Sequence, residues 1–124
     1  MIVLFGSHGF IGSAFAAEMK ARGMEFVAGD YRQPEISFDV ELVINCAAFI
    51  PKESVSLCDR FPSETLIGNV LLPRKLALQC WDSGAHFAQI STGCLWSDGL
   101  EHGEDDPPQR AFNGHCGFYV GTKV

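Results

Sequence analysis

The stretch that most constrains this chain is Gly6-Ser7-His8-Gly9-Phe10-Ile11-Gly12, because its glycines follow a wholly apolar run and precede a helical pattern. Residues 1–5 (MIVLF) read as a strand buried on both faces, as in parallel sheets. Over residues 10–22, Ile11, Ala14, Phe15 and Met19 recur at helical spacing, and Gly23 stands where a helix-ending glycine belongs. In a strand, turn and helix the three glycines take separate tasks. Gly6 permits the tight turn, Gly9 lets the backbone approach a pyrophosphate, and Gly12 lets helix and strand pack closely. Ser7, Phe10 and Ile11 complete this dinucleotide cradle, and His8 reads as a solvent-facing turn residue.

The rest of the chain continues the alternation. Residues 25–29 (EFVAG) and 41–48 (ELVINCAA) read as a second and third strand. Only residues 30–40, with Pro34 among them, separate the two, too few for a crossover helix and an extra strand, so a trimmed sheet edge is expected. Residues 63–81 carry the longest helical pattern, with Pro73 expected to bend it and Gly84 to end it. Residues 85–91 read as a fourth strand, residues 98–114 as an acidic loop containing Pro107 and Pro108, and the last ten residues as the start of a helix. The 124 residues, with no internal repeat, suit one domain over 1–124: a Rossmann-type, doubly wound α/β parallel sheet, truncated at about four strands and without a substrate domain.

A formal net charge of -6 disfavours nucleic acid as a partner. Cys46, Cys58, Cys80, Cys94 and Cys116 form an odd set without a CxxC pair, which reads as reduced thiols in a cytoplasmic protein. No apolar run suits a membrane span, and the scattered histidines have no zinc-ligand spacing, so no metal is expected.

Asp30 falls at the end of the second strand, where a carboxylate can accept from adenosine ribose hydroxyls and favour NAD. Arg32 offers the alternative, pairing with the 2′-phosphate of NADP, so the cofactor is written NAD(P). Asn45, Cys46, Ala47 and Ala48 end the third strand with small residues, as a ribose lying across the sheet edge requires, although packing alone also calls for small side chains there. Thr92 follows the fourth strand at the same edge. Tyr119 and Lys123 form a Tyr-x-x-x-Lys pair, one turn apart on a helix. The ammonium is expected to lower the tyrosine pKa so that the hydroxyl can exchange a proton with a carbonyl or alcohol, with Thr92 steadying the same oxygen.

Glycine turn, third strand, Thr92, Tyr119 and Lys123, in this order, resemble the extended short-chain dehydrogenase/reductase family, whose members act on nucleotide sugars. Cys58-Asp59, Glu64-Thr65, Asn69-Val70, residues 91–96 (STGCLW), residues 104–107 (EDDP) and Phe118-Tyr119 with Thr122-Lys123 narrow the likeness to the dTDP-4-dehydrorhamnose reductase and nucleotide-rhamnose epimerase/reductase group. The resemblance implies that Thr92, Tyr119 and Lys123 are catalytic, and that Asn69 supports the water and lysine network beside the cofactor. It implies a nucleotide-sugar substrate, dTDP- or UDP-linked, whose 4-keto group is reduced as in dTDP-rhamnose biosynthesis. Cys94 is similar in placement to the acid/base cysteine of GDP-fucose synthases, which epimerise carbons beside a keto group, whereas its own chemistry equally suits a buried packing residue.

Family members continue well beyond the Tyr-x-x-x-Lys helix. Two other functions therefore stand beside the reductase: a non-catalytic dinucleotide-binding module, working as a homo-oligomer or with a complementing chain, and a nucleotide-sugar epimerase or dehydratase.

Overall fold

The computed structural model describes residues 1–96, 99–108 and 117–123. Cys116, His115, Asp98 and the part of the acidic loop after Pro108 lie outside them. The described chain forms two compact units, one of residues 1–48 and 71–90 and the other of 49–70 and 91–124.

The first unit is built on four parallel strands, β1 (Ile2–Phe5), β2 (Phe26–Gly29), β3 (Leu42–Asn45) and β4 (His86–Gln89), in the order β2-β1-β3-β4. The register is uniform, with Val3 opposite both Val27 and Val43, and Val43 opposite Phe87. Helix α1 (Phe10–Ala21) connects β1 to β2, and helix α3 (Leu72–Ser83) precedes β4.

Alternation along the strands shows why helices cover both faces. Val3, Phe5 and Val43 point to one side and pack with Val40 and with Leu72, Leu76 and Cys80 of α3. Leu4 and Ile44 point to the other and pack with Met19 of α1. Successive residues of a strand face opposite ways, so a strand apolar at every position is what two covered faces require. This is the doubly wound arrangement expected from the alternation of strands and helices, on a strand expected to be buried on both faces.

Residues 30–40 form neither helix nor strand, which leaves β2 as the outermost strand on its side among the described residues. Val40 is nonetheless buried in the core, and the Ile36 amide donates to Gln79 Oε1 of α3 at 3.0 Å, so this short connection is pinned across the helix face.

In the second unit the chain runs through a 3₁₀ helix (Val55–Arg60), helix α2 (Pro62–Leu66) and a 3₁₀ turn (Gly93–Leu95) to helix α4 (Phe118–Gly121). Between α2 and α3 the helix widens into a π turn, Ile67–Leu71. Pro73 lies at the start of α3 and has no N–H for the carbonyl of Asn69, and the widened turn precedes it. Gly84, at φ 76°, ends α3 in the left-handed conformation. Among the described residues no helix is long and apolar enough to cross a membrane, and no group of three His, Cys, Asp or Glu side chains could hold a metal ion.

Candidate functional site

The sheet order reverses between β1 and β3, which are neighbours although β2 lies between them in sequence. In open α/β sheets the carboxyl ends at such a switch point form a crevice that binds ligands. The glycine turn sits there. Gly6 has φ 74°, and a Cβ on it would lie 2.7 Å from the Ala47 amide nitrogen just beyond β3. Only glycine satisfies both the left-handed backbone and that approach. A Cβ on Gly12 would overlap the Gly6 carbonyl oxygen and lie 2.7 Å from its carbon. The turn is closed by the Gly9 amide donating to the Gly6 carbonyl at 2.9 Å.

Helix α1 begins here with Gly9 as its N-cap, without a side-chain cap and without an acidic residue in its first turn. Its first N–H groups therefore lack intrahelical acceptors and no carboxylate competes for them, a combination suited to a phosphate. Phe10 is 96% exposed at this end and His8 faces solvent. These residues fit a pyrophosphate-containing cofactor.

Two further features of the first unit bear on the crevice. The fully buried Asn45 donates to Gln89 Oε1 at 2.7 Å and accepts from the Ala47 amide at 3.1 Å, and Gln89 in turn donates to the Ile90 carbonyl at 2.8 Å. This chain of bonds fixes the backbone of Ala47 against Gly6. Small size at positions 45–48 is legible in sequence, whereas Gln89 as the partner is not, because its position comes from the β3–β4 register. At the end of β2 the exposed Asp30 accepts from the Arg32 amide at 2.9 Å, an Asx turn that leaves its second carboxylate oxygen open. The Arg32 guanidinium lies over the Tyr31 ring, 5.7 Å from its centroid, and its pKa is raised by the Tyr31 hydroxyl and by Asp30.

The second unit holds Thr92, Cys94, Tyr119, Lys123 and Asn69. The Thr92 hydroxyl accepts from the Cys94 amide at 3.3 Å as the cap of the 3₁₀ turn, which leaves its O–H free to donate elsewhere. Ser91 Oγ donates to the Lys123 carbonyl at 3.2 Å, tying the segment that carries Thr92 to the one that carries Lys123. Cys94 is exposed, so the packing alternative for this thiol does not hold. The buried Cys58, by contrast, places its Sγ 3.8 Å from the Phe49 carbonyl.

Lys123 does not share an α-helix with Tyr119. Helix α4 ends at Gly121, and the Thr122 and Lys123 amides donate three residues back, to Tyr119 at 3.1 Å and Val120 at 3.0 Å. The ammonium nevertheless lies over the tyrosine ring, 5.7 Å from its centroid. The expected lowering of the tyrosine pKa is overturned. Burial pushes the Tyr119 hydroxyl above its ordinary value, the neighbouring Cys58 and Cys94 thiols push the same way, and Lys123 is not among the causes. Burial likewise pulls the Lys123 ammonium below its ordinary value. In a Tyr31→Phe background, where Tyr119 is the sole tyrosine, phenolate absorbance is expected to appear with a midpoint above pH 10.0, and Cys94→Ser is expected to bring that midpoint down.

Asn69, expected beside the cofactor, spends its side chain inside the second unit. Its Oδ1 accepts from the Phe49 amide at 2.7 Å, and its Nδ2 donates to the Phe49 carbonyl at 3.2 Å and to Thr122 Oγ1 at 3.4 Å. Asn69 and Thr122 are both buried. The asparagine thus positions the backbone of Phe49 and the residue preceding Lys123. Asn69→Leu would strand the Phe49 amide and carbonyl, and equilibrium denaturation is expected to show a loss of ~3 kcal/mol.

No family model matches the chain in sequence, nor does any curated protein. Solved structures do match. The NAD-dependent NDP-hexosamine 5,6-dehydratase of tunicamycin biosynthesis is 25% identical with a TM-score of 0.76, covering 98% of this chain and 46% of its own. The UDP-rhamnose synthase of Acanthamoeba polyphaga mimivirus is 18% identical with a TM-score of 0.76, covering 98% and 48%. The dTDP-4-dehydrorhamnose reductase of Bacillus anthracis, in complex with NADP, is 17% identical with a TM-score of 0.73, covering 98% and 45%. The chain therefore has the Rossmann-type α/β fold of nucleotide-binding enzymes. More narrowly, its structural neighbours are extended short-chain dehydrogenase/reductases, and it spans just under half the length of the three described.

Proposed function

We propose that this chain belongs to the extended short-chain dehydrogenase/reductases, binds NAD(P), and serves the reduction of the 4-keto group of a nucleotide-linked 6-deoxyhexose, as dTDP-4-dehydrorhamnose reductases do. The observation that carries the proposal is the glycine turn at the β1/β3 switch point, where a side chain at Gly6 or Gly12 would meet backbone and the uncapped end of α1 is open.

A bound reduced nicotinamide supplies a hydride. The first unit would hold the cofactor: the α1 N–H groups would bind its pyrophosphate, and Asp30 would accept from ribose hydroxyls or Arg32 would pair with a 2′-phosphate. In the second unit Tyr119 gives its proton to the carbonyl oxygen as that oxygen becomes a hydroxyl, and Thr92 donates a hydrogen bond to the same oxygen. Tyr119 holds its proton at neutral pH, as a general acid must, while burial, by raising its pKa, makes it a weaker acid than an ordinary tyrosine. Cys94, exposed two residues after Thr92, is the candidate proton carrier for any accompanying epimerisation.

Oxidation of NADH or NADPH on addition of a dTDP- or UDP-4-keto-6-deoxyhexose tests the proposal. Turnover supports it, and cofactor binding without turnover supports a non-catalytic dinucleotide-binding module instead. That second reading is favoured by burial raising the Tyr119 pKa, with Lys123 not among the groups that shift it. An NAD retained through purification, with sugar isomerisation or dehydration in place of net oxidation, supports an epimerase or dehydratase.

A further inference from the structure

The acidic stretch that follows the Gly93–Leu95 turn folds back on Trp96, the first residue after that turn, and every contact it makes there lies within the second unit. The Trp96 indole N–H donates to the Pro107 carbonyl at 3.2 Å. The His102 imidazole lies flat on the indole, with ring centroids 5.3 Å apart and an interplanar angle of 17°. On its other side His102 Nδ1 is 3.4 Å from Asp106 Oδ2, and the same oxygen accepts from the Gly103 amide at 2.9 Å. The Asp106 amide in turn donates to the Gly103 carbonyl at 3.2 Å. One indole, one imidazole and one carboxylate thus close residues 99–107 into a strap.

The charge of that imidazole is the variable. Histidine gains and loses its charge between about pH 5 and 8. Residues 99–108 contain Glu101, Glu104, Asp105 and Asp106 and no Lys or Arg, so four carboxylates repel one another along the strap. A neutral imidazole leaves that repulsion in place. An imidazolium offsets it, turns the contact with Asp106 into an ion pair and sets a cation on the face of Trp96. The His102 side chain is 16% exposed, so its half of the pair is shielded from water.

We infer that residues 99–107 are a pH-dependent strap, held on Trp96 when His102 is protonated and loosened when it is neutral. Trp96 directly follows the turn that carries Cys94 and is capped by Thr92, so the strap controls the order of the segment behind those two residues. The inference does not depend on the proposed reaction, since it involves no cofactor and no substrate.

Fluorescence in a Trp81→Phe background tests it, because Trp96 is then the sole tryptophan and the ring removed is 85% exposed. Trp96 emission is expected to fall as the pH is lowered from about 8 to 5, since a stacked imidazolium quenches an indole. His102→Gln, which takes no charge, is expected to abolish the change and leave the circular dichroism spectrum unaltered. Asp106→Asn removes the anion that favours the imidazolium, and with a partly exposed pair the midpoint is expected to fall by about half a unit. Hydrogen exchange gives a second readout: protection factors of the Gly103 and Asp106 amides are expected to rise through the same midpoint in the parent and to stay level in His102→Gln. Emission independent of pH, a titration that survives in His102→Gln, an unchanged midpoint in Asp106→Asn, or amide protection that does not follow the emission would overturn the inference.

Discussion

Gly12→Ala is expected to abolish NAD(P) binding and to destabilise the fold by ~3 kcal/mol, the upper part of the range for overpacking. The added methyl group meets the carbonyl oxygen and carbon of Gly6, which are backbone atoms and cannot rotate away. Relief requires α1 to move off the end of β1. That movement separates the helix N-terminus from the turn whose amide and carbonyl, Gly9 and Gly6, are held 2.9 Å apart. The cradle loses its shape while the phosphate-facing N–H groups lose their aim, so affinity is expected to fall on the order of a hundredfold or more, equivalent to ~2.7 kcal/mol. Calorimetry with either cofactor reads the first effect and urea denaturation the second. An alanine variant that binds as the parent does would show that the turn is not the cofactor cradle.

Tyr119→Phe is expected to lower kcat on the order of 10³-fold on a nucleotide 4-keto-6-deoxyhexose, with cofactor affinity and stability unchanged. Stability is spared because the Tyr119 hydroxyl has no hydrogen-bond partner among the described residues, so its removal strands nothing. The neighbouring Thr122, which bonds the Tyr119 carbonyl through its side chain at 2.7 Å, is untouched. The pH dependence has a definite sign. A general acid acts in its protonated form, and burial holds the Tyr119 proton to higher pH than ordinary, so the alkaline fall in rate is expected above pH 10.0 unless another group titrates first. Lys123 is the group that can, since burial pulls its pKa below the ordinary 10.5. Lys123→Met is expected to remove any limb that falls at lower pH. A Tyr119→Phe protein of undiminished turnover would assign the proton to another residue, with Cys94 next in line.

The parts legible in sequence are those governed by local pattern. An apolar run closed by glycine specifies a strand buried on both faces, and the structure shows why: Val3 and Phe5 serve one core cluster and Leu4 the other. The short stretch before β3 likewise announces the open β2 edge, because residues 30–40 are too few for a helix and a strand. What sequence does not yield is pairing over distance. The Asn45–Gln89 bond that fixes Ala47 depends on which strands are neighbours, and the clasp of Asn69 on Phe49 depends on the π turn that carries Asn69. The tyrosine pKa is not legible in the sequence for a related reason. Helical spacing puts Lys123 near Tyr119, but α4 ends at Gly121, and the burial that sets the pKa comes from surroundings that spacing does not describe.

The turn bearing Gly6, Gly9 and Gly12 is proposed to hold a nicotinamide dinucleotide. Isothermal titration calorimetry of the purified chain with NADH and NADPH tests it most directly. One-to-one binding of at least one of the two is expected, lost in Gly12→Ala and retained in Tyr119→Phe; a folded parent protein that binds neither cofactor would show that the turn is not a cofactor site.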